Sequence, residues 1–299
     1  MSVVDFVIIG SGIAGASAAA ALAPRGHVAI LERESAHGYH TTGRSAALFS
    51  PLYGPAPFRA LSVASRAFLS APPDGFAPHP ILTPRGVLNI ATEAQRPIIE
   101  SLAAAAQRLG VAHRLLDQAA CLAACPALRA DHVVAALEEP EAMDIDVEGL
   151  HQGYLRAARQ AGADIRLDAE VTSLVREANA WRVTLKSGET LTARVVINAA
   201  GAWGDVVAGL AGVAPLGLTP LKRTAFIIEA PEGVDAGAWP SVIDADEAFY
   251  FKPEAGRLLV SPADEVPSPP HDAWPEDLAI AECVERMQAA ADIPVRRIL

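Results

Sequence analysis

Apolar positions in the first 35 residues follow the pattern of a strand, a helix and a second strand. Residues 3–9 form a nearly continuous apolar run bounded by Gly10, which is typical of a parallel strand buried on both faces. Residues 13–22 are rich in alanine and stop before Pro24, which predicts a helix. Residues 27–32 are again apolar and β-branched, so this part of the chain is predicted to form a βαβ unit.

The pattern after this unit predicts a mixed α/β fold. A long irregular segment over residues 35–84 contains a short predicted helix at 58–69, and such segments within compact domains are usually functional loops. Further helices are predicted at residues 93–109, 117–125, 147–161, 205–210 and 276–290. Strands are predicted at residues 165–167, 171–175, 181–185, 191–196, 195–201, 224–228, 241–243, 248–252 and 257–260, with a further strand beginning at 295. The later strands and the helix after them indicate an antiparallel sheet covered by a helix.

Composition narrows the class of protein. The chain has 299 residues, of which 51% are hydrophobic and 20% charged, and this balance indicates a folded protein large enough for two domains. The net charge of −11 argues against a nucleic-acid partner, because it repels polyanions. No apolar run is long enough for a transmembrane segment. We expect a cytoplasmic protein, which leaves open a peripheral position at the inner face of the membrane.

The three cysteines do not predict a disulfide framework or a metal site. Cys121 and Cys125 lie four residues apart on one predicted helical face, but two further ligands are not apparent nearby. We therefore expect small core residues and no metal.

The residues between the first strand and helix fit a dinucleotide-binding motif. Gly10, Gly12 and Gly15 match G-x-G-x-x-G, in which glycines permit a tight turn, close approach of a pyrophosphate and close helix packing. Glu32 ends the second strand, where its carboxylate can accept hydrogen bonds from ribose hydroxyls and would repel a 2′-phosphate. These residues predict NAD or FAD rather than NADP.

Three longer segments resemble the D-amino-acid oxidase and dehydrogenase family of FAD-dependent amine oxidoreductases, most nearly its bacterial D-arginine dehydrogenases. The segments are Glu32–Glu34, Tyr39–Ala47 and Ile197–Trp203, and the similarity extends to about residue 265. The resemblance implies a Rossmann-type FAD-binding domain over residues 1–50 and 145–213. It implies an interleaved α+β substrate domain, built on an antiparallel sheet, over 51–144 and 214–299.

The same resemblance assigns cofactor-binding positions. Ala14 joins Gly10, Gly12 and Gly15 in the phosphate turn, and Glu32 and Arg33 belong to the adenosine side. The loop implied to contact the pyrophosphate and the isoalloxazine comprises Thr41, Thr42, Gly43, Arg44, Ser45, Ala46, Ala47 and Leu48. Val171 is implied to lie near the adenine, and Ala200 and Gly201 complete the set. On the residues alone, Arg44 is equally well explained as a solvated surface charge.

On the substrate side, the resemblance implies that Arg223 pairs with the carboxylate of a D-amino acid while Tyr53 and Tyr250 line the pocket. A guanidinium suits this role because it offers two parallel donors. Without the resemblance, Arg223 is better interpreted as a solvated charge and Tyr250 as a half-buried core aromatic. Leu48, Val87, Ser241 and Ile243 are the further pocket residues.

Two departures from the arginine-specific relatives change the expected substrate. Val87 stands where those relatives have an acidic residue, and Leu48 stands where they have a histidine. Because an unpaired buried guanidinium is costly, we expect a neutral or apolar D-amino acid instead of D-arginine. Oxidation would give an imino acid that water converts to a 2-oxo acid and ammonia, with a quinone or another acceptor favoured over oxygen for the electrons.

The resemblance also leads us to expect a further arginine and a flavin-capping loop after residue 299, so the chain reads as truncated at its carboxy terminus. Two alternatives stay open. One is an FAD-dependent enzyme acting on a 2-hydroxy acid or a secondary amine, of the hydroxyglutarate, glycine or sarcosine type. The other is a catalytically silent FAD-binding chain.

Overall fold

The computed structural model describes residues 3–299, which contain seven α-helices. The helices are α1 Ile13–Leu22, α2 Ala56–Ser70, α3 Arg96–Leu109, α4 Gln118–Ala124, α5 Val147–Gln160, α6 Gly204–Leu210 and α7 Asp277–Ala290. The first nine strands are β1 Val3–Ile9, β2 Val28–Leu31, β3 Leu48–Phe49, β4 Leu82–Pro84, β5 Val87–Ala91, β6 Arg114–Asp117, β7 Ala135–Glu139, β8 Met143–Ile145 and β9 Asp164–Arg166. The others are β10 Val171–Glu177, β11 Ala180–Leu185, β12 Thr190–Asn198, β13 Leu221–Lys222, β14 Phe226–Glu229, β15 Ser241–Asp244, β16 Tyr250–Glu254, β17 Arg257–Ser261 and β18 Val266–Pro267.

A six-stranded sheet contains the predicted βαβ unit. Its order is β10-β11-β12-β1-β2-β9, and β12, β1, β2 and β9 are parallel. The alanines of α1 and the apolar face of α5 pack on one side against Ile8 and Ile30, while α6 packs on the other side through Val207. This is the Rossmann-type arrangement predicted from the sequence. The carboxyl ends of β12, β1 and β2 therefore lie side by side, as required for a ligand site at a sheet edge.

A seven-stranded sheet forms the second layer of the molecule. Its order is β14-β17-β16-β15-β5-β7-β6, and every neighbouring pair is antiparallel except β15 with β5. One face packs against α4 and α7, and this core includes the fully buried Cys121, Cys125 and Cys283. Burial raises the pKa of these thiols to about 11, 12 and 12, respectively. The predicted antiparallel sheet with a covering helix and the predicted core cysteines are confirmed.

The chain crosses between the two sheets more than once. The six-stranded sheet takes its strands from residues 3–31 and 164–198, whereas the seven-stranded sheet takes its strands from residues 87–139 and 226–261. The domain boundaries proposed at residues 50, 144 and 213 fall between these sets and stay a prediction.

Local chemistry explains where several helices begin and end. Asp117 accepts a hydrogen bond from the Ala120 amide at 2.9 Å and so caps α4. Asp146 caps α5 in the same way through the Gly149 amide at 2.8 Å. Helix α3 has proline in its first turn and ends at Gly110, whose φ of +66° lies in the left-handed region. None of the helices in the described part of the chain is long and apolar enough to cross a bilayer.

Two strand predictions differ from the structure. The predicted strands at 191–196 and 195–201 are one strand, β12, which ends at Asn198. Residues 295–299 form no assigned strand, although the Leu299 amide donates to the Ile227 carbonyl at 3.0 Å. A single hydrogen bond does not make a ladder.

Candidate active site

The glycine turn after β1 brings three chain segments into close approach. Gly10 has φ of +101°, and a β-carbon there would lie 2.5 Å from the Ala199 carbonyl oxygen and 3.3 Å from Ala200 Cα. A β-carbon on Gly15 would overlap the Gly10 carbonyl. Only glycine therefore fits these positions, and the end of β12 lies directly against the turn.

The start of α1 presents unused backbone donors. The Ile13 amide donates to Thr42 Oγ1 at 3.0 Å, and the first helical hydrogen bond runs from Ala16 to Gly12. Within residues 3–299, the amides of Gly12 and Ala14 donate to no protein group, and Ala14 is exposed. Free amides at a helix start, with its positive dipole end, form an anion-binding site.

Glu32 is buried beside this turn and held by three donors. Its Oε2 accepts from the Ser11 amide and hydroxyl, both at 2.8 Å, and its Oε1 accepts from the Glu34 amide at 3.0 Å. A carboxylate has about four lone-pair sites, so Glu32 keeps acceptor capacity on Oε1. Arg33 lies next to it, paired with Glu34 at 2.9 Å and placed 4.8 Å over the Trp203 ring.

A histidine network that sequence reasoning missed supports Glu32. Arg159 donates to His37 Nε2 at 3.0 Å, and His37 Nδ1 lies 3.0 Å from the Ser11 hydroxyl. Because arginine only donates, His37 must accept at Nε2 and carry its proton on Nδ1. Burial is the largest influence lowering the pKa of His37, followed by Arg159 and His151, against an opposing effect of Glu32. Only the packing of α5 beside the turn brings these residues together, so spacing in the sequence carried no signal of them.

The loop after β2 is tied to a distant segment, residues 262–276, which we call the strap. Arg44 binds Asp272 at 2.5 Å and the Ala273 carbonyl at 3.2 Å, and Tyr39 donates to Asp272 at 3.1 Å. Hydrogen bonds to Arg44 and Tyr39 lower the pKa of Asp272, that to Arg44 being the stronger influence. Arg44 therefore binds two residues of the strap.

The strap also holds the segment that carries Arg223. Strand β18 pairs with β13, Lys222 binds Glu276, and Asp264 accepts from the Thr224 amide at 2.5 Å and hydroxyl at 2.9 Å. Arg223 itself pairs with Glu265 at 2.7 Å. These contacts fix the backbone on both sides of Arg223.

A cavity of about 1310 Å³ lies between the loop after β2, the strap and the open face of the seven-stranded sheet. The open face is the one opposite α4 and α7, and α3 covers part of it over β5 and β7. The predicted site residues in its wall are Thr41, Thr42, Arg44, Ser45, Ala46, Ala47, Leu48, Tyr53, Arg223, Ser241, Ile243 and Tyr250. Ile13 also lies in the wall, so the cavity reaches the start of α1. The three predicted catalytic residues, Tyr53, Arg223 and Tyr250, therefore share one cavity with most of the predicted flavin loop.

Electrostatics keep Arg223 charged and Tyr250 protonated. Burial opposes the charge on Arg223, but the hydrogen bond with Glu265 and the neighbouring Tyr53 and Tyr250 outweigh it, so its pKa is raised. Burial raises the pKa of Tyr250, against the opposing effects of Ser261 and Arg223. The site thus offers a fixed cation and a phenol that can donate a hydrogen bond.

The other predicted residues lie outside this wall. Gly10, Gly12, Ala14, Gly15, Glu32, Arg33, Ala200 and Gly201 surround the carboxyl edge of the six-stranded sheet. Gly43 lines a smaller adjoining cavity of about 740 Å³. Val171 begins β10, where it packs on the core beneath that sheet.

Val87 does not line the cavity. It is fully buried in β5, although it shares a face of the sheet with Asn89, which does lie in the wall. Its antiparallel partner in β7 is Glu139, a buried carboxyl group that also reaches the cavity wall. The predicted pocket position is therefore covered, and Asn89 and Glu139 line the cavity beside it.

Sequence reasoning also missed a charge cluster around the buried Lys252 at the cavity edge. Lys252 pairs with Asp144 at 3.0 Å and Glu254 at 2.9 Å, and Arg85 binds Asp144 at 2.7 Å. The alternation of β16 offers the one available signal, because Lys252 lies two residues from Tyr250 on the same face. Within residues 3–299, no group of three or more acidic, histidine or cysteine side chains is arranged to bind a metal.

Comparison with known proteins identifies the family. The sequence model of a family described as "DAO: FAD dependent oxidoreductase" matches residues 5–296. The chain belongs to this family. Its cofactor is accordingly FAD, which agrees with the glycine turn, the free amides of α1 and the acceptor at Glu32.

The chain also resembles individual proteins and solved structures. Human mitochondrial dimethylglycine dehydrogenase is 29% identical over 140 residues, which are 46% of this chain and 16% of that protein, so the match spans about a sixth of its length. Glycine oxidase from Geobacillus kaustophilus superposes with a TM-score of 0.82 at 20% identity, over 100% of this chain and 82% of that one. L-α-glycerophosphate oxidase from Mycoplasma pneumoniae, with FAD bound, gives a TM-score of 0.85 at 18% identity over the same shares. These structures establish the fold of an FAD-dependent oxidoreductase.

Proposed function

We propose that this oxidoreductase deaminates a D-amino acid with a neutral or apolar side chain to a 2-oxo acid and ammonia. The observation that carries the proposal is the meeting of Tyr53, Arg223 and Tyr250 in one cavity with the loop from Thr41 to Leu48. A guanidinium and two phenols suit the carboxylate and amine of an amino acid.

The proposed reaction has a simple electron balance. FAD, when bound, would accept the α-hydrogen of the substrate together with its bonding electron pair. The substrate would also lose one amine proton to solvent and so become an imino acid. Water then hydrolyses the C=N bond and releases ammonia. The protein supplies position and charge, which are its usual contributions when a cofactor carries the chemistry.

Arg223 is assigned to the substrate carboxylate, and Tyr250 to a hydrogen bond with the substrate. Because Arg223 keeps its charge and its flanking backbone is held by Asp264, it presents a preorganised partner for an anion. Tyr53 is 56% exposed, so we place it at the entrance of the cavity, where it can contact the substrate as the substrate enters. We assign no general base, since a neutral amine needs none.

The cofactor positions stay as proposed from the sequence. The amides beginning α1 are assigned to the pyrophosphate, Glu32 Oε1 to the ribose and Arg33 to the adenosine side. Val171 is assigned to the adenine, and the loop from Thr41 to Leu48 to the pyrophosphate and isoalloxazine. Ala200 and Gly201 are assigned to the part of the cofactor site beside Gly10, where a side chain on Gly10 would not fit.

The proposed preference for neutral or apolar side chains comes from Leu48 and Val87. Leu48 lies in the cavity wall and Val87 behind it, so no carboxylate occupies either position for a substrate guanidinium. We propose a quinone or another acceptor in preference to oxygen for the second half of the cycle.

A secondary amine is the second candidate substrate. The partial match to dimethylglycine dehydrogenase favours this class. The products separate the candidates, because oxidation of an N-methylated amine gives an aldehyde and a smaller amine, whereas a primary amino acid gives ammonia. A 2-hydroxy acid would give neither amine nor ammonia.

Anaerobic titration tests the proposal. The yellow holoenzyme should bleach on addition of D-leucine, D-methionine or D-phenylalanine and release ammonia, while D-arginine and the L-enantiomers react poorly. Faster bleaching by sarcosine or a 2-hydroxy acid would favour the alternatives. Bleaching by none of these compounds, despite bound FAD, would indicate a catalytically silent chain.

A further inference from the structure

A polar end of the cavity remains unexplained by the carboxylate and amine contacts. It is formed by Glu139 and Asn89 from the open face of the seven-stranded sheet, with Ser50 and Arg59 beside them, and all four lie in the cavity wall. Glu139 is only 3% exposed, and a buried carboxyl group in a cavity wall requires a reason.

The register of the sheet places this end in line with the proposed substrate contacts. Tyr250 pairs with Ile243, and Ile243 pairs with Asn89, so the three side chains lie in one row on the open face. At about 4.8 Å per strand, Asn89 lies roughly 10 Å from Tyr250. An amino acid held at Arg223 and Tyr250 would extend its side chain along this row to Asn89, which donates to Glu139 in the adjacent row of β7.

Glu139 is oriented by donors from the protein. Ser50 Oγ donates to its Oε2 at 2.8 Å and Asn89 Nδ2 to its Oε1 at 3.3 Å. The Leu52 amide also favours the charged form of this group. A carboxylate has about four lone-pair sites, so these donors leave acceptor capacity for one more. The carboxyl group is thus fixed in place without being saturated.

Arg59 supplies the complementary donor. Its Nε donates to the Gly54 carbonyl at 2.6 Å, while its two terminal nitrogens have no partner in residues 3–299. No ion pair joins Arg59 to Glu139, yet the Arg59 charge acts on the carboxyl group and opposes the effect of burial, which raises the pKa of Glu139. A cationic side chain would therefore meet the Arg59 charge, and an anionic one the Glu139 carboxyl group.

We propose that Glu139 and Arg59 form a side-chain subsite for a neutral substrate that ends in a carboxamide. The amide nitrogen donates to Glu139, and the amide oxygen accepts from a terminal nitrogen of Arg59. A carboxamide has separate donor and acceptor atoms and so can span the gap between the two groups. This inference rests on the proposed amino-acid oxidation and narrows its neutral substrates to those of the glutamine or asparagine type.

The test is the ratio of kcat/KM for D-glutamine to kcat/KM for D-methionine, which has a similar length and no amide. The ratio should exceed one for the unaltered holoenzyme. Glu139→Met should lower it about tenfold or more, because one hydrogen bond to a buried group is lost. Glu138→Gln is the matched control: it is the neighbouring residue of β7, its side chain pairs with Arg114 instead, and the ratio should not change.

Arg59→Met provides a second variant, since Arg59 is less buried than Glu139 and its loss threatens folding less. It should lower the same ratio by a similar factor, with the unfolding temperature and FAD content near those of the unaltered protein. A ratio below one in the unaltered enzyme, or a ratio that neither substitution changes, would overturn the subsite and leave amino-acid oxidation standing. If D-methionine and D-glutamine fail to bleach the flavin while D-leucine or D-phenylalanine bleaches it, the subsite fails and the proposed function stands. If none of the four bleaches the flavin, both fail.

Discussion

Arg223 already binds a carboxylate in this structure, because one of its terminal nitrogens donates to Glu265 at 2.7 Å. Substitution Arg223→Met removes both the charge and the donors. We expect kcat/KM for the preferred D-amino acid to fall about a hundredfold, mainly through KM, since hydrogen bonds to a charged group contribute about 1.5–3 kcal/mol. Steady-state kinetics with a dye acceptor measure this.

The matched control for that substitution is Arg257→Met. Arg257 lies on β17 of the seven-stranded sheet, but its side chain is exposed and its contact with Glu229 is long, at 3.8 Å. Both variants should keep the flavin spectrum. An unchanged KM in Arg223→Met would show that the carboxylate binds elsewhere.

The buried Glu139 predicts a pH-dependent stability difference. Burial raises its pKa above the usual value, so the folded state holds this proton more tightly than the unfolded state does. Its contribution to stability is therefore present at low pH and is lost as the pH rises through the folded-state pKa. Replacement by glutamine removes the ionisation.

Thermal unfolding of Glu139→Gln and the unaltered protein should consequently diverge with pH. The difference in Tm, taken as variant minus unaltered protein, should increase as the pH rises from about 4 to 8. This holds whether the difference is positive or negative at the lower pH. A difference that stays constant, or that decreases over this range, would contradict the burial argument.

At the scale of elements, the strap joins the two proposed binding regions. Asp272 holds it to Arg44 and Tyr39, and Asp264 and Glu265 hold it to the segment of Arg223. Substitution Asp272→Ala should remove the contacts of the strap with Arg44 and Tyr39. We therefore expect faster cleavage by a nonspecific protease within residues 262–276. Mass spectrometry of the fragments locates the cuts.

Asp131→Ala serves as the control for the strap, because Asp131 forms an exposed ion pair with Arg129 far from residues 262–276 in sequence. This variant should be cut at the rate of the unaltered protein. Bound FAD should slow cleavage of both if the strap closes over the cofactor side of the cavity. Equal cleavage of the two variants would mean that Asp272 does not restrain the strap.

The spacing of apolar residues predicted the helices and strands whose pattern is contained within one continuous segment. The βαβ unit, α5 and the pair β16 and β17 are continuous or alternating apolar runs, and the structure confirms them. Strand β7 was missed because Ala135–Glu139 contains no β-branched or aromatic residue and forms a strand only between β5 and β6.

The same distinction applies to the site. Gly10, Gly12 and Glu32 could be predicted because the turn and the next strand lie within about 30 residues of each other. Glu139 could not, since it reaches the cavity through its pairing with Val87, which is 52 positions away. Likewise, 228 positions separate Arg44 from Asp272, and no spacing rule connects them.

At the scale of the whole molecule, the cavity lies where the two sheets and the strap meet, so its walls come from distant parts of the chain. Ile13 and Thr42 border the six-stranded sheet, Tyr250 and Ser241 belong to the seven-stranded sheet, and His271 belongs to the strap. A ligand that contacts all three should stabilise the entire fold and not only one part of it. FAD is long enough to do so, because its adenosine and flavin ends are separated by the pyrophosphate.

The last prediction follows from this arrangement. Removal of FAD should lower the unfolding temperature, and FAD restored at a free concentration 100 times its Kd should return about 2.7 kcal/mol of stability. FMN lacks the adenosine and the second phosphate, so it should restore less stability than FAD does at the same concentration.

Gly10→Ala should abolish the effect of FAD, because its β-carbon would meet the Ala199 carbonyl at 2.5 Å and force the turn open. Gly209→Ala is the matched control: Gly209 lies in α6 with no atom within 4 Å of an added β-carbon, and its apo protein should gain a few tenths of a kcal/mol to about 1 kcal/mol in helix stability. Calorimetry of the apo and reconstituted forms measures each case, and equal stabilisation of Gly10→Ala and Gly209→Ala by FAD would show that the cofactor does not use the turn after β1.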